Sequence, residues 1–154
     1  MKVLRLMIVV AALGSLLVLS NCGSPSTPAE PIADQQFTKL AKSWKATGVK
    51  LDGVDKLADY PNFVLTISGT KATPPFDYSV AGRPQLSAWK ASGKWTFDTD
   101  PITQIIRDAG TSDELKMSYS VNATTLEIQF SYTGTGYTRV EQVKGAWSFT
   151  FTAQ

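Results

Sequence analysis

The chain has no histidine and a single cysteine among its 154 residues. Without histidine there is no Ser-His-Asp or Cys-His catalysis, and the commonest metal ligand is missing. One cysteine makes no intrachain disulfide, and a zinc site is not expected. Its longest apolar run, Leu6 to Leu19, is 14 residues, short of the roughly 20 that a membrane-spanning helix needs. Gly-x-Ser-x-Gly elbows, phosphate-cradling glycine loops, internal repeats and runs of like charge are absent too. No cluster of basic residues is interleaved with aromatics, so nucleic acid is not an expected partner. No catalytic residue, metal ligand or cofactor is assigned, and the chain is not expected to be an enzyme.

What is present begins at the N-terminus. Lys2 and Arg5 precede the Leu6–Leu19 run, a positive segment followed by an apolar segment of signal-peptide length. Leu19-Ser20-Asn21-Cys22 follows. This resembles the lipobox of bacterial lipoproteins, with Leu three residues before the cysteine and a small residue two before it. Asn21 departs from the pattern, where Gly, Ala or Ser is commoner. The resemblance implies a signal peptide over 1–21 and a diacylglycerol and acyl (palmitate-type) anchor on Cys22, so that the membrane is a partner through that anchor. Without Lys2 and Arg5, the 15 basic residues fall to the number of acidic ones, 13. The basic balance therefore belongs to the leader, and the remainder is neutral.

Residues 22–33 read as the lipidated cysteine and a tether. Pro25, Pro28 and Pro31, set among Ser, Thr, Gly and Ala, favour a semi-extended spacer of about 3.1 Å per residue. The remaining residues, 34–154, suffice for one domain with one core.

That domain opens helically. Asp34 is a candidate N-cap, and Phe37, Leu40, Ala41 and Trp44 share one helical face. Trp44 can equally start a strand running to Leu51. Beyond it the period is two: Phe63–Ile67, Phe76–Val80, Trp95–Phe97, Leu115–Val121, Leu126–Tyr132 and Trp147–Phe151 each alternate apolar with polar, and Gln104–Arg107 is a weaker run. Alternation marks strands with one buried and one wet face. Asn122-Ala123-Thr124 reads as a hairpin turn; Asp100-Pro101, Asp108-Ala109-Gly110 and Gly134-Thr135-Gly136 mark others. The expected fold is all-β, an antiparallel up-and-down barrel of about eight strands with a short N-terminal helix. A β-sandwich is the alternative.

The segment Gly93-Lys94-Trp95-Thr96-Phe97-Asp98, followed by Thr103–Arg107, Asp108-Ala109-Gly110 and the hairpin Leu115–Tyr132, is similar to the lipocalin-like domain of Bacteroidetes lipoproteins. The N-terminal helix running into Ser43-Trp44 is similar as well. True lipocalins carry Gly-x-Trp in their first strand, whereas Lys42 stands two residues before Trp44 here. The resemblance implies the barrel and, with Gly23 after the cysteine, the periplasmic face of the outer membrane; the cell surface is the alternative. It assigns no ligand.

Few residues remain as candidates for function. Asp98-Thr99-Asp100 and Asp113-Glu114 are oxygen-rich, but EF-hand spacing is lacking, and Asp is common in turns for its local hydrogen bonds. Trp44, Trp95 and Trp147, with the hydroxyls of Tyr119 and Tyr132, either pack the core or line a cavity. Trp89, in the aperiodic Arg83–Ser92 stretch, is either a surface contact for a sugar or protein, or a cap on one barrel end. Two classes of function follow: a binding module for a small apolar ligand or glycan, and a structural subunit docking on an envelope protein.

Overall fold

The structure is a computed structural model that describes residues 28–134 and 141–154. The leader, Cys22 and the first part of the tether lie outside the described residues, as does the Thr135-Gly136 part of one expected turn. The described chain forms helix α1 (Ile32–Leu40), then strands β1 (Ser43–Leu51), β2 (Val54–Asp55), β3 (Val64–Ser68), β4 (Phe76–Ala81), β5 (Ser92–Phe97), β6 (Gln104–Arg107), β7 (Leu115–Val121), β8 (Thr125–Tyr132) and β9 (Gly145–Ala153). Short 3-10 turns lie at Leu57–Asp59 and Glu141–Val143.

Eight of these strands close into an antiparallel barrel in the order β1-β3-β4-β5-β6-β7-β8-β9, and β9 returns to β1. That last ladder runs from Trp44–Ala153 to Leu51–Trp147, which decides for a barrel over a sandwich. Strand β2 is additional, a two-residue hairpin partner at the far end of β1.

The register explains the alternation. Phe130 faces Trp147, Ile128 faces Phe149 and Leu126 faces Phe151 across β8 and β9. On the other side of β9, Phe151, Phe149 and Trp147 face Ala46, Val49 and Leu51. Each inward residue thus meets inward residues on both neighbouring strands, the unit of sheet stabilisation. Strand β1 holds one irregularity. A bulge between Ala46 and Gly48 inserts an extra residue, so Trp44 and Ala46 point inward before it and Val49 and Leu51 after it. This is why β1 shows no clean two-residue period.

One end of the barrel, the helix end, gathers α1, the β7–β8 hairpin and the β5–β6 connection. The other, the loop end, gathers the β1–β2 turn and the connections β4–β5, β6–β7 and β8–β9. Helix α1 lies over the helix end. Its Phe37 ring stacks on Phe76 with centroids 4.4 Å apart, and the Trp44 indole Nε1 donates to the Leu40 carbonyl at 2.9 Å.

The helix starts three residues earlier than Asp34 as a cap would place it. Pro31 is the N-cap residue, and its carbonyl accepts from the Asp34 and Gln35 amides at 3.0 and 3.1 Å. Asp34 instead lies within the first turn, where a carboxylate favours the positive end of the helix dipole. Ile32 and Ala33 therefore belong to the helix, not the tether. It ends at Leu40, well before Gly48, and Trp44 belongs to β1. The β7–β8 turn is as expected: Asn122 Oδ1 accepts from the Thr124 and Thr125 amides at 2.9 and 2.8 Å.

Phe149 sits at the centre of the packing, stacked between Phe130 and Phe151 with centroids 6.0 Å from each. Phe149→Ala should cost about 3–5 kcal/mol, read as a lower urea midpoint. Thr150→Ala, on the wet face next to it, should stay within about 0.5 kcal/mol of wild type.

Candidate functional site

The loop end is closed by the chain itself. Between β4 and β5, residues Ser87, Ala88 and Trp89 turn into the barrel and are buried. Trp89 is 2 % exposed and meets Tyr78, Phe130 and Phe149 edge-on at 5.9 Å each. It is not a surface contact residue. It acts as the cap that was its other reading, and its indole is spent on the core. The aperiodic stretch hides this because a plug follows no strand or helix period.

A charged cluster that the sequence reading did not single out holds this plug. Strand β6 puts Ile105 and Arg107 on its inner face, so the Arg107 side chain enters the barrel and is 2 % exposed. Its Nη1 donates to the Ala88 carbonyl at 2.6 Å, and its guanidinium lies 5.6 Å from the Trp89 ring centroid, a cation–π distance. Its Nε makes no hydrogen bond but stands 3.6 Å from Asp108 Oδ2. Asp108 compensates the buried charge, as such a charge requires. Its Oδ2 also accepts from the Tyr78 hydroxyl at 3.1 Å, and its Oδ1 from the Lys94 amide at 3.0 Å. Lys90 completes the group, 3.6 Å from Asp108 and 3.1 Å from Asp113. The Asp113 carboxylate beside it holds the Lys90 ammonium above its ordinary pKa.

Gly93 is part of the same arrangement. A Cβ there would fall 2.2 Å from Asp108 Oδ1 and 2.7 Å from the Tyr78 hydroxyl. The glycine of Gly93-Lys94-Trp95 thus makes room for the carboxylate that pairs with Arg107. The signal for Arg107 was its place in Gln104–Arg107, where Ile105 and Arg107 share a face. A charge at an inward position is also what made that run look weak.

The predicted ligand residues are all inside. Trp44, Trp95 and Trp147 are buried, as are Tyr119 and Tyr132. They do not converge on one space: Trp44 and Trp95 lie toward the helix end, Trp147 and Tyr132 toward the loop end. Tyr119 donates its hydroxyl to the Pro101 carbonyl, and Trp147 Nε1 donates to the Val143 carbonyl at 2.8 Å. Between the helix and the plug the interior keeps a void of about 20 Å³, bordered by Leu40, Leu65, Trp89, Trp95 and Met117 among others. That is room for about one water molecule.

The Asp98-Thr99-Asp100 turn is engaged locally. Asp98 accepts from the Thr99 amide and pairs with Lys116 at 2.9 Å. Asp100 accepts from the Thr103 hydroxyl and the Ile102 amide. These bonds hold both carboxyls below their usual pKa, with the Lys116 and Thr103 hydrogen bonds the leading causes. Cys22 lies outside the described residues. The chain matches no protein-family model, no curated protein and no solved structure.

Two predictions follow from this geometry. Arg107→Ala should cost about 3–5 kcal/mol because the buried Arg107–Asp108 pair is broken, leaving Asp108 only the part-exposed Lys90, and the Ala88 carbonyl loses its donor. Combined with Trp89→Ala it should be non-additive by about 0.5–3 kcal/mol, because both hold one loop; a urea double-mutant cycle measures this. The second concerns alkali. Burial raises the Tyr119 phenol's pKa, with the Asp100 charge a smaller cause. An acid whose folded pKa is raised contributes stability below its unfolded value, near 10, and loses it as pH rises further. Stability should therefore fall above about pH 10, and less steeply in Tyr119→Phe.

Proposed function

We propose that this protein is a lipid-anchored, non-catalytic module of the bacterial cell envelope that acts through its outer surface, as a structural subunit docking on an envelope protein. The observation that carries this reading is the filled interior. The void between the helix and the plug is about 20 Å³, against the 300–1,000 Å³ usual for a small-molecule pocket. Of the two classes expected from the sequence, docking fits this better than carriage of a small apolar ligand.

A glycan ligand gains no support from the tryptophans. Trp44, Trp89, Trp95 and Trp147 are all buried, so none offers a flat ring to a sugar. The large apolar side chains exposed among the described residues are Ile32, Val54, Leu86 and Ile102. They sit at the two ends of the barrel, two at each, while the wall is polar. At the loop end, Leu86 borders a groove of about 300 Å³ together with Leu51, Tyr60, Val143 and Trp147.

The anchor rests on the lipobox resemblance at Cys22. No described helix is long and apolar enough to cross a membrane, and attachment through Cys22 needs none. The module is assigned to the periplasmic face of the outer membrane.

Three measurements test the reading. Mass spectrometry of the mature protein should show a lipid-sized mass that Cys22→Ala loses; an unchanged mass overturns the anchor. A fluorescent apolar probe titrated into the folded protein should show no saturable binding, and stoichiometric binding would return the ligand-carrier reading. Protease added to intact cells should leave the domain whole; digestion would place it on the cell surface.

A further inference from the structure

The geometry points to the helix end of the barrel as a surface that rests on the lipid bilayer, leaving the loop end turned outward. This inference rests on the lipid anchor proposed above and adds which face meets the lipid.

Three observations carry it. The first is where the tether leaves the domain. Glu30 pairs with Lys71 in the β3–β4 connection, and its carbonyl accepts from Gln35 Nε2 at 2.8 Å. The chain leading to Cys22 is therefore fastened at the helix end. The second is length. Eight residues of chain from Glu30 reach Cys22, at most about 28 Å when fully extended. The anchor thus keeps the helix end within that distance of the headgroups.

The third is that this end carries exposed apolar tips, as the loop end does with Val54 and Leu86, so the fastening of the tether selects between the two. The helix end exposes Ile32, 47 % accessible, on the first turn of α1 and Ile102, 52 % accessible, on the β5–β6 connection. Both are large apolar side chains that gain by leaving water. The charges on the elements of that end are mixed: Lys39, Lys42 and Lys71, with Lys116 reaching Asp98 from β7, against Glu30, Asp34, Asp98 and Asp100. Contact therefore depends on apolar tips and not on anionic lipid, so neutral phosphatidylcholine suffices as partner surface.

The test uses the mature, acylated protein inserted in phosphatidylcholine vesicles. Acylation occupies Cys22, so a second cysteine takes the only free-thiol label. Thr99→Cys reports on the helix end and Gln85→Cys on the loop end; both residues are exposed. With spin-labelled phosphatidylcholine as quencher, a fluorophore at position 99 should be quenched and one at 85 should not. The pair Ile32→Ser and Ile102→Ser, on the Thr99→Cys background, should lose that quenching while the protein still floats with the vesicles. Equal quenching at both positions, or stronger quenching at 85, overturns the orientation and leaves the anchor standing. Failure to float overturns the anchor, and the orientation falls with it.

Discussion

Trp44 opposite Ala153 and Leu51 opposite Trp147 mark the two ends of the ladder that joins the first barrel strand to the last. All other pairings in the barrel are between strands adjacent in its up-and-down order, and most are hairpins. The β1–β9 ladder alone ties the two ends of the domain together. Once formed, it closes the eight-stranded barrel, so among the described strands only the two-residue β2 remains an edge. It also fixes the interior volume, because the girth of a barrel follows from strand number and stagger. An eight-stranded barrel is just wide enough for side chains to fill, and this one is filled with rings.

The two closures of that interior differ in kind. At the helix end the seal is apolar: Phe37 lies on Phe76, and Trp44 is tied to the last turn of the helix. At the loop end a buried arginine is needed, because a plug of irregular backbone brings carbonyl groups into the barrel. A buried carbonyl without a donor is costly. Arg107 satisfies that of Ala88, Asp108 balances Arg107, and Gly93 leaves space for Asp108. The four residues form one dependency. Buried charge here fixes where a loop lies.

Much of the fold was legible because strands β7, β8 and β9 alternate cleanly over seven to nine residues, and each has one buried face. The Asn122 turn was legible through its side-chain chemistry. Barrel or sandwich was not decided by pattern, since both bury alternate residues; only the pairing of β1 with β9 distinguishes them. Strand β1 was blurred by its bulge, which shifts the inward set by one residue halfway along. The helix start was misplaced because a favourable capping side chain at Asp34 competed with the carbonyl of Pro31, and the backbone prevailed. The candidate site was the least legible part. Trp89 lies in a loop without period, and Arg107 violates the apolar rule for inward positions. The five aromatics, read as core packing or as the lining of a cavity, are all buried.

The closing ladder has one more consequence. The amide of Gln154 donates to the carbonyl of Ser43 at 3.0 Å, so the last described residue sits beside the start of the first barrel strand, on the side where the tether leaves. A reporter domain fused after Gln154 would crowd the helix end, where α1 enters β1. One inserted at the exposed Gly53 turn would stand clear, at the opposite pole.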